Sequence, residues 1–109
     1  MTVKELCEKL ELKILVEGDL DREITGGYCG DLLSWVMGRA KENSVWLTVM
    51  GNVNAIAVAV LADVSAIVLT ENSALDSEAL ERAKQRGVNI YSTEDNTYET
   101  AKKIIAAIE

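Results

Sequence analysis

The residues best placed to do chemistry lie in one stretch, Asp21-Arg22-Glu23-Ile24-Thr25-Gly26-Gly27-Tyr28-Cys29-Gly30-Asp31-Leu32-Leu33-Ser34. Glycines ahead of a helix N-terminus let backbone N–H groups approach an anion, so Thr25, Gly26, Gly27 and Gly30 read as a candidate phosphate cradle. The competing reading is a turn in which the glycines supply φ > 0. The pattern is neither GxGxxG after a strand nor GxxxxGK[ST]. Arg22 is its nearby cation, set against Asp21, Glu23 and Asp31. Asp19, Asp21 and Glu23 imitate the start of a calcium loop, but Ile24 stands where that loop requires glycine and Gly30 where it requires glutamate, so calcium is rejected. Cys29 lies near an expected helix start, which lowers a thiol pKa, while Asp31 beside it acts in the opposite direction. A second set of candidates falls where open α/β sheets hold ligands, at the C-terminal ends of strands. It comprises Gly51, Asn52 and Asn54, then Thr70, Glu71 and Asn72, then Ser92 and Thr93; turn and capping chemistry is the alternative reading of the same residues.

Other chemistry is closed by composition. There is no histidine, so Ser-His-Asp and Cys-His catalysis and HExxH zinc sites are unavailable to a single chain. Cys7 and Cys29 form no CxxC pair, and free thiols suit a reducing compartment. Many carboxylates are present, yet nothing singles out a convergent acid–base pair, so no enzyme activity is expected. Eleven Lys plus Arg against 18 Asp plus Glu leave a net charge of −7, which argues against a nucleic-acid partner.

Those residues must be positioned by one domain, because 109 residues, 49% of them hydrophobic, suffice for a single core over 1–109. The opening residues lack a basic segment followed by an apolar one, so no secretory leader is expected and the chain is read as cytoplasmic. The apolar run Val53–Leu69 carries Asn54 and Asp63 and is too short to span a bilayer, so it is read as buried core and no membrane is expected.

Thr2-Val3-Lys4-Glu5 is a capping box opening a helix that places Cys7 in the core. Residues 12–16 read as a strand and 17–21 as a loop. A helix is predicted over about 31–42, capped by Asp31 and stopped near Asn43. Residues 45–50 read as a central strand, 55–62 as a helix and 65–70 as a strand. Asp76 caps a helix ending at Gly87, 88–92 form a last strand, and Asn96 with Glu99 opens a terminal helix whose Lys102 and Lys103 form a solvated face. Alternating strands and helices predict an α/β fold, a mostly parallel sheet with helices on both faces, in which 45–50, 65–70 and 88–92 are parallel neighbours.

The glycine stretch resembles a DRTGG domain when taken together with Asn54-Ala55-Ile56-Ala57-Val58-Ala59, Ala66-Ile67-Val68-Leu69-Thr70 and the ending Tyr91-Ser92-Thr93 through Thr97-Tyr98-Glu99-Thr100-Ala101. The resemblance covers nearly the whole chain. It implies a fold similar to the N-terminal domain of HPr kinase and a regulatory role like that of the modules beside CBS domains in pyrophosphatases and in long phosphotransacetylases. It also implies stand-alone copies near hydrogenase-like redox systems, with no established activity of their own, and no cofactor is expected. In phosphotransacetylase-type members the Asp-Arg pair follows a glycine matching Gly51-Asn52-Val53, and Thr-Gly-Gly matches Thr70-Glu71-Asn72. Only the glycine and the threonine persist here, and Thr25-Gly26-Gly27 is a displaced look-alike.

The expected function is a non-catalytic regulatory or scaffold module, homodimeric, acting on a metabolic or redox partner. The alternative is a sensor binding a nucleotide or other anion at the C-terminal ends of the strands. In the helix after Asp31, the apolar face of Leu32, Leu33, Val36 and Ala40 leaves Trp35 on the flank beside Gly38, one turn on. An aromatic beside a small residue suits an interface anchor, so Trp35 and Gly38 are expected to meet a second copy. The other reading packs Trp35 against its own chain.

Overall fold

A computed structural model describes residues 1–108. The chain runs α1 (Val3–Leu10), β1 (Lys13–Val16), β2 (Gly26–Cys29), α2 (Leu33–Arg39), β3 (Ser44–Thr48), α3 (Val53–Ala62), β4 (Ala66–Leu69), α4 (Ser77–Arg86), β5 (Ile90–Ser92) and α5 (Thr97–Ile108). The sheet order is β1-β5-β4-β3-β2. β2, β3, β4 and β5 are parallel, and β1 closes one edge antiparallel to β5. The α/β expectation therefore holds, including the three parallel neighbours.

Each central strand is buried along its length and reads as an uninterrupted apolar run because both its faces are covered. On one face α2, α3 and α4 pack over Trp46, Ile67 and Ile90; on the other α1 and α5 pack over Val45, Leu47, Val68 and Tyr91. Trp46 is fully buried, and its indole Nε1–H donates to Gly30 O at 2.9 Å, as a buried indole requires.

Local signals set most helix ends. Glu5 N–H donates to Thr2 Oγ1 at 3.2 Å and Thr2 N–H to Glu5 Oε1 at 3.1 Å, the reciprocal pair that opens α1. Asn96 Oδ1 accepts from Glu99 N–H at 2.8 Å at the start of α5. Gly87, at φ 66°, ends α4 in the left-handed conformation that glycine adopts without strain. Asp76 holds the N-cap position of α4 without a side-chain capping bond.

Three expectations are corrected. Thr25-Gly26-Gly27 is not a turn with positive φ, because Gly26 and Gly27 open β2 and neither is left-handed. α2 spans Leu33–Arg39 rather than 31–42, and Asp31 does not cap it. The Asp31 carboxylate instead accepts from Thr48 Oγ1 at 2.7 Å and Val49 N–H at 3.0 Å, tying the ends of β2 and β3 together. At the other end of α2, the turn into β3 takes up residues 40–42, expected to be helical: Asn43 is left-handed at φ 63° as expected, but it lies beyond the C-cap Ala40, and Ser44 N–H donates to Lys41 O at 3.2 Å.

Candidate functional site

The parallel strands β3, β4 and β5 all end on the same side of the sheet, and the loops after them hold most of the candidate ligand residues. Each first serves a structural purpose. Asn52 is the N-cap of α3, its Oδ1 accepting from Ala55 N–H at 3.0 Å, and Asn54 lies exposed in the first turn of that helix. Gly51 sits where a Cβ would stand 2.0 Å from Ala74 O, and its own carbonyl accepts from Asp76 N–H at 2.8 Å. Glycine is needed at 51 because the β4–α4 loop presses directly on its backbone.

The loop after β4 carries the most unusual backbone. Thr70 is fully buried, with its Oγ1 2.7 Å from Thr97 Oγ1. Glu71 and Asn72 follow at φ 60° and 53°, two consecutive non-glycine residues in the left-handed region. Their amides are engaged, Glu71 N–H with Asp95 O at 2.8 Å and Asn72 N–H with Thr93 O at 2.9 Å, so the β5–α5 loop clamps this conformation. These are the positions that the resemblance matches to Gly-Gly, and a left-handed pair is the backbone that glycine takes most readily. By the same resemblance Asn52 stands in place of an aspartate, where it caps α3, and Val53 brings no cation where the resemblance implies an arginine.

Beside this loop lies a cleft of about 410 Å³ between β1 and the β4–α4 loop, bordered by Lys13, Ile14, Asn72, Ser73, Leu75 and Ser92. It adjoins a second of about 390 Å³ bordered by Glu11, Thr93, Glu94 and Asp95, and Lys13, Asn72 and Ser92 line both. Lys13 arrives there because β1 runs antiparallel and sets it opposite Ser92. Sequence reading missed Lys13, as an edge strand's position is decided by pairing across the chain. Thr97, also missed, is recognisable only once Thr70 is known to face it. Asp95 pairs with Lys103 at 2.6 Å, and that hydrogen bond raises the Lys103 pKa. The cleft thus offers an ammonium, an amide and hydroxyls, with an apolar wall on one side and carboxylates on the other.

Thr25, Gly26 and Gly27 do not join it. Gly26 is in register with Ser44, the first residue of β3, so this segment begins at the opposite end of the sheet. Arg22 is committed there as well: its Nη2 donates to Asp63 Oδ1 at 2.8 Å, and its guanidinium holds Asn43 Oδ1 at 3.1 Å, bracing two left-handed residues. Cys29 is exposed, and partial desolvation followed by the charge of Asp31 raises its thiol pKa, so no thiolate is stabilised at that point. Cys7 is half-buried against the core, its Sγ donating to Leu12 O at 3.6 Å. Trp35 is 51% exposed on its own chain, with Arg39 stacked 3.9 Å above its ring. Among the described residues no three Cys, Asp or Glu side chains gather to hold a metal, and no helix is long and apolar enough to cross a membrane.

No curated protein matches the sequence. The fold is similar to a crystal structure of the CBS and DRTGG domains of the regulatory region of Clostridium perfringens pyrophosphatase, complexed with its activator diadenosine tetraphosphate. The TM-score is 0.74 at 10% identity over 97% of this chain. The chain spans about half of that protein's resolved length, 46%. The DRTGG domain family model matches residues 5–107. With nearly the whole length matched, this chain belongs to the DRTGG domain family.

Proposed function

We propose that this chain is a non-catalytic regulatory module, working as a homodimer in the cytoplasm, that binds a small anionic ligand and reports its presence to a metabolic or redox partner protein. The observation that carries the ligand reading is the cleft at the C-terminal ends of β4 and β5, where Lys13, Asn72 and Ser92 converge beside a strained loop. Strained backbone held in place by surrounding hydrogen bonds is a recurring feature of ligand clamps. A regulatory role is supported by family membership, and a nucleotide as first probe by the activator of the related pyrophosphatase region. Glu11, Glu94 and Asp95 near Lys13 favour a ligand with one anionic group at the ammonium over one with dense charge. A nucleic-acid partner does not fit a chain of net charge −7.

A thermal-shift screen with AMP, ATP, diadenosine tetraphosphate and inorganic phosphate tests this. A ligand at about 100 times its Kd adds about 2.7 kcal/mol, which raises the Tm of a domain this size by roughly 10 °C or more. The shift is expected to fall sharply in Lys13→Ala. A flat screen, or a shift indifferent to Lys13, removes the ligand part of the proposal.

A further inference from the structure

The sheet's two edges differ in a way that points to a partner. β2 pairs with β3 alone. Gly30 N–H donates to Leu47 O at 3.2 Å, and residues of a parallel ladder alternate, so Tyr28 turns its backbone groups toward β3 while Gly27 and Cys29 turn theirs outward. Nothing in Gly26–Cys29 carries charge, in a chain of net charge −7. The opposite edge, β1, begins with Lys13 and lies between Glu11 and Glu17, the charged decoration that keeps an edge from pairing.

The flanks of β2 are apolar on both faces of the sheet. α2 is the outermost helix over this end on one face, and α5 packs over β2 and β3 on the other. Leu32, Trp35 and Met37 at α2, with Tyr98, Ile105 and Ile108 on α5, make up six of the nine exposed large hydrophobic residues among those described. An uncharged free edge between two apolar helices is where a second copy of an acidic chain meets least repulsion and most surface to bury.

We propose that two copies of this chain join through their β2 edges, antiparallel, into one continuous sheet. The proposal rests on the homodimer reading above and names its seam. Placing Tyr28 on the two-fold axis sets Gly27 of each copy opposite Cys29 of the other, which gives about four backbone hydrogen bonds from the four outward-facing residues. In this register Asp31 lies opposite Thr25, and no two like charges are opposed. An axis perpendicular to the sheet brings α2 beside its own copy on one face and α5 beside its own on the other, so Trp35 becomes a flank of the seam.

Gly27→Pro is the discriminating variant. It removes an N–H that the monomer does not use, and edge strands tolerate proline where that N–H points to solvent. A Cβ at 27 meets its nearest non-neighbouring atom, Val45 O, at an ordinary 3.4 Å. Light scattering at tens of micromolar is expected to give wild type twice the 11.9 kDa chain mass and Gly27→Pro the single mass, with unchanged circular dichroism. Amide exchange in wild type is expected to be slow at Gly27 and Cys29, and to accelerate on dilution. A monomeric wild type overturns both the homodimer and the seam. A folded Gly27→Pro that stays dimeric, or free exchange of both amides in a wild-type dimer, overturns the seam and leaves the homodimer standing. If Gly27→Pro fails to fold, the wild-type exchange pattern decides.

Discussion

Replacing Glu71 by glycine should stabilise this protein, although it deletes a side chain and adds no contact. Glu71 is held at φ 60° because its N–H is bound to Asp95 O and its neighbour Asn72 is bound to Thr93 O, so the strain cannot relax locally. A Cβ-bearing residue in the left-handed region costs about 1–2 kcal/mol. Glycine removes that but adds about 0.4–1 kcal/mol of unfolded-state entropy. The net gain for Glu71→Gly is then about 0.5–1 kcal/mol. Asparagine tolerates this region through its short polar side chain, so Asn72→Gly should change stability by less than about 0.5 kcal/mol. Urea denaturation followed by Trp46 fluorescence reads the difference: the midpoint should rise for Glu71→Gly with an unchanged m-value, and Glu71→Val, β-branched, should lower it. A destabilised Glu71→Gly, or a larger gain at Asn72 than at Glu71, would refute the claim that backbone strain is stored in this loop.

Three further outcomes follow from the same structure. The Tyr91 hydroxyl is buried with no hydrogen-bond partner, and burial raises its pKa, so Tyr91→Phe should leave the fold intact and be neutral or stabilising by up to about 2 kcal/mol in denaturant unfolding. Gly51→Ala forces a Cβ to within 2.0 Å of Ala74 O and should cost at least about 2 kcal/mol, with amide exchange quickening first in residues 73–76. The Cys29 thiol is raised above its ordinary 9.0, so alkylation should be slow at pH 7 and climb only as pH passes that value. Because the folded pKa exceeds the unfolded one, the associated stability is complete below the ordinary value of 9.0 and declines as pH rises through the folded value; rapid alkylation at pH 7 would contradict this placement of the thiol.

Residues close in sequence carried much of the architecture. The Thr2–Glu5 box, the Asn96 cap and the Gly87 stop each join groups within a few residues of one another, so their signals are complete in the sequence. The apolar runs of β3, β4 and β5 together with the helices between them specify parallel crossovers, because a strand buried on both faces has no polar side to show. The family likeness was likewise readable there. Only the tertiary structure decided what depends on distant partners. Gly26 and Gly27 form a strand because β3 offers them a ladder, against their local preference for turns. Asp31 abandons a capping role because Thr48 and Val49, brought alongside by strand pairing, compete for its carboxylate. Lys13 reaches the cleft because β1 pairs antiparallel with a strand far along the chain, and the left-handed conformation at Glu71 is imposed by a loop more than twenty residues away. Long-range hydrogen bonds, invisible to local pattern, place the candidate site.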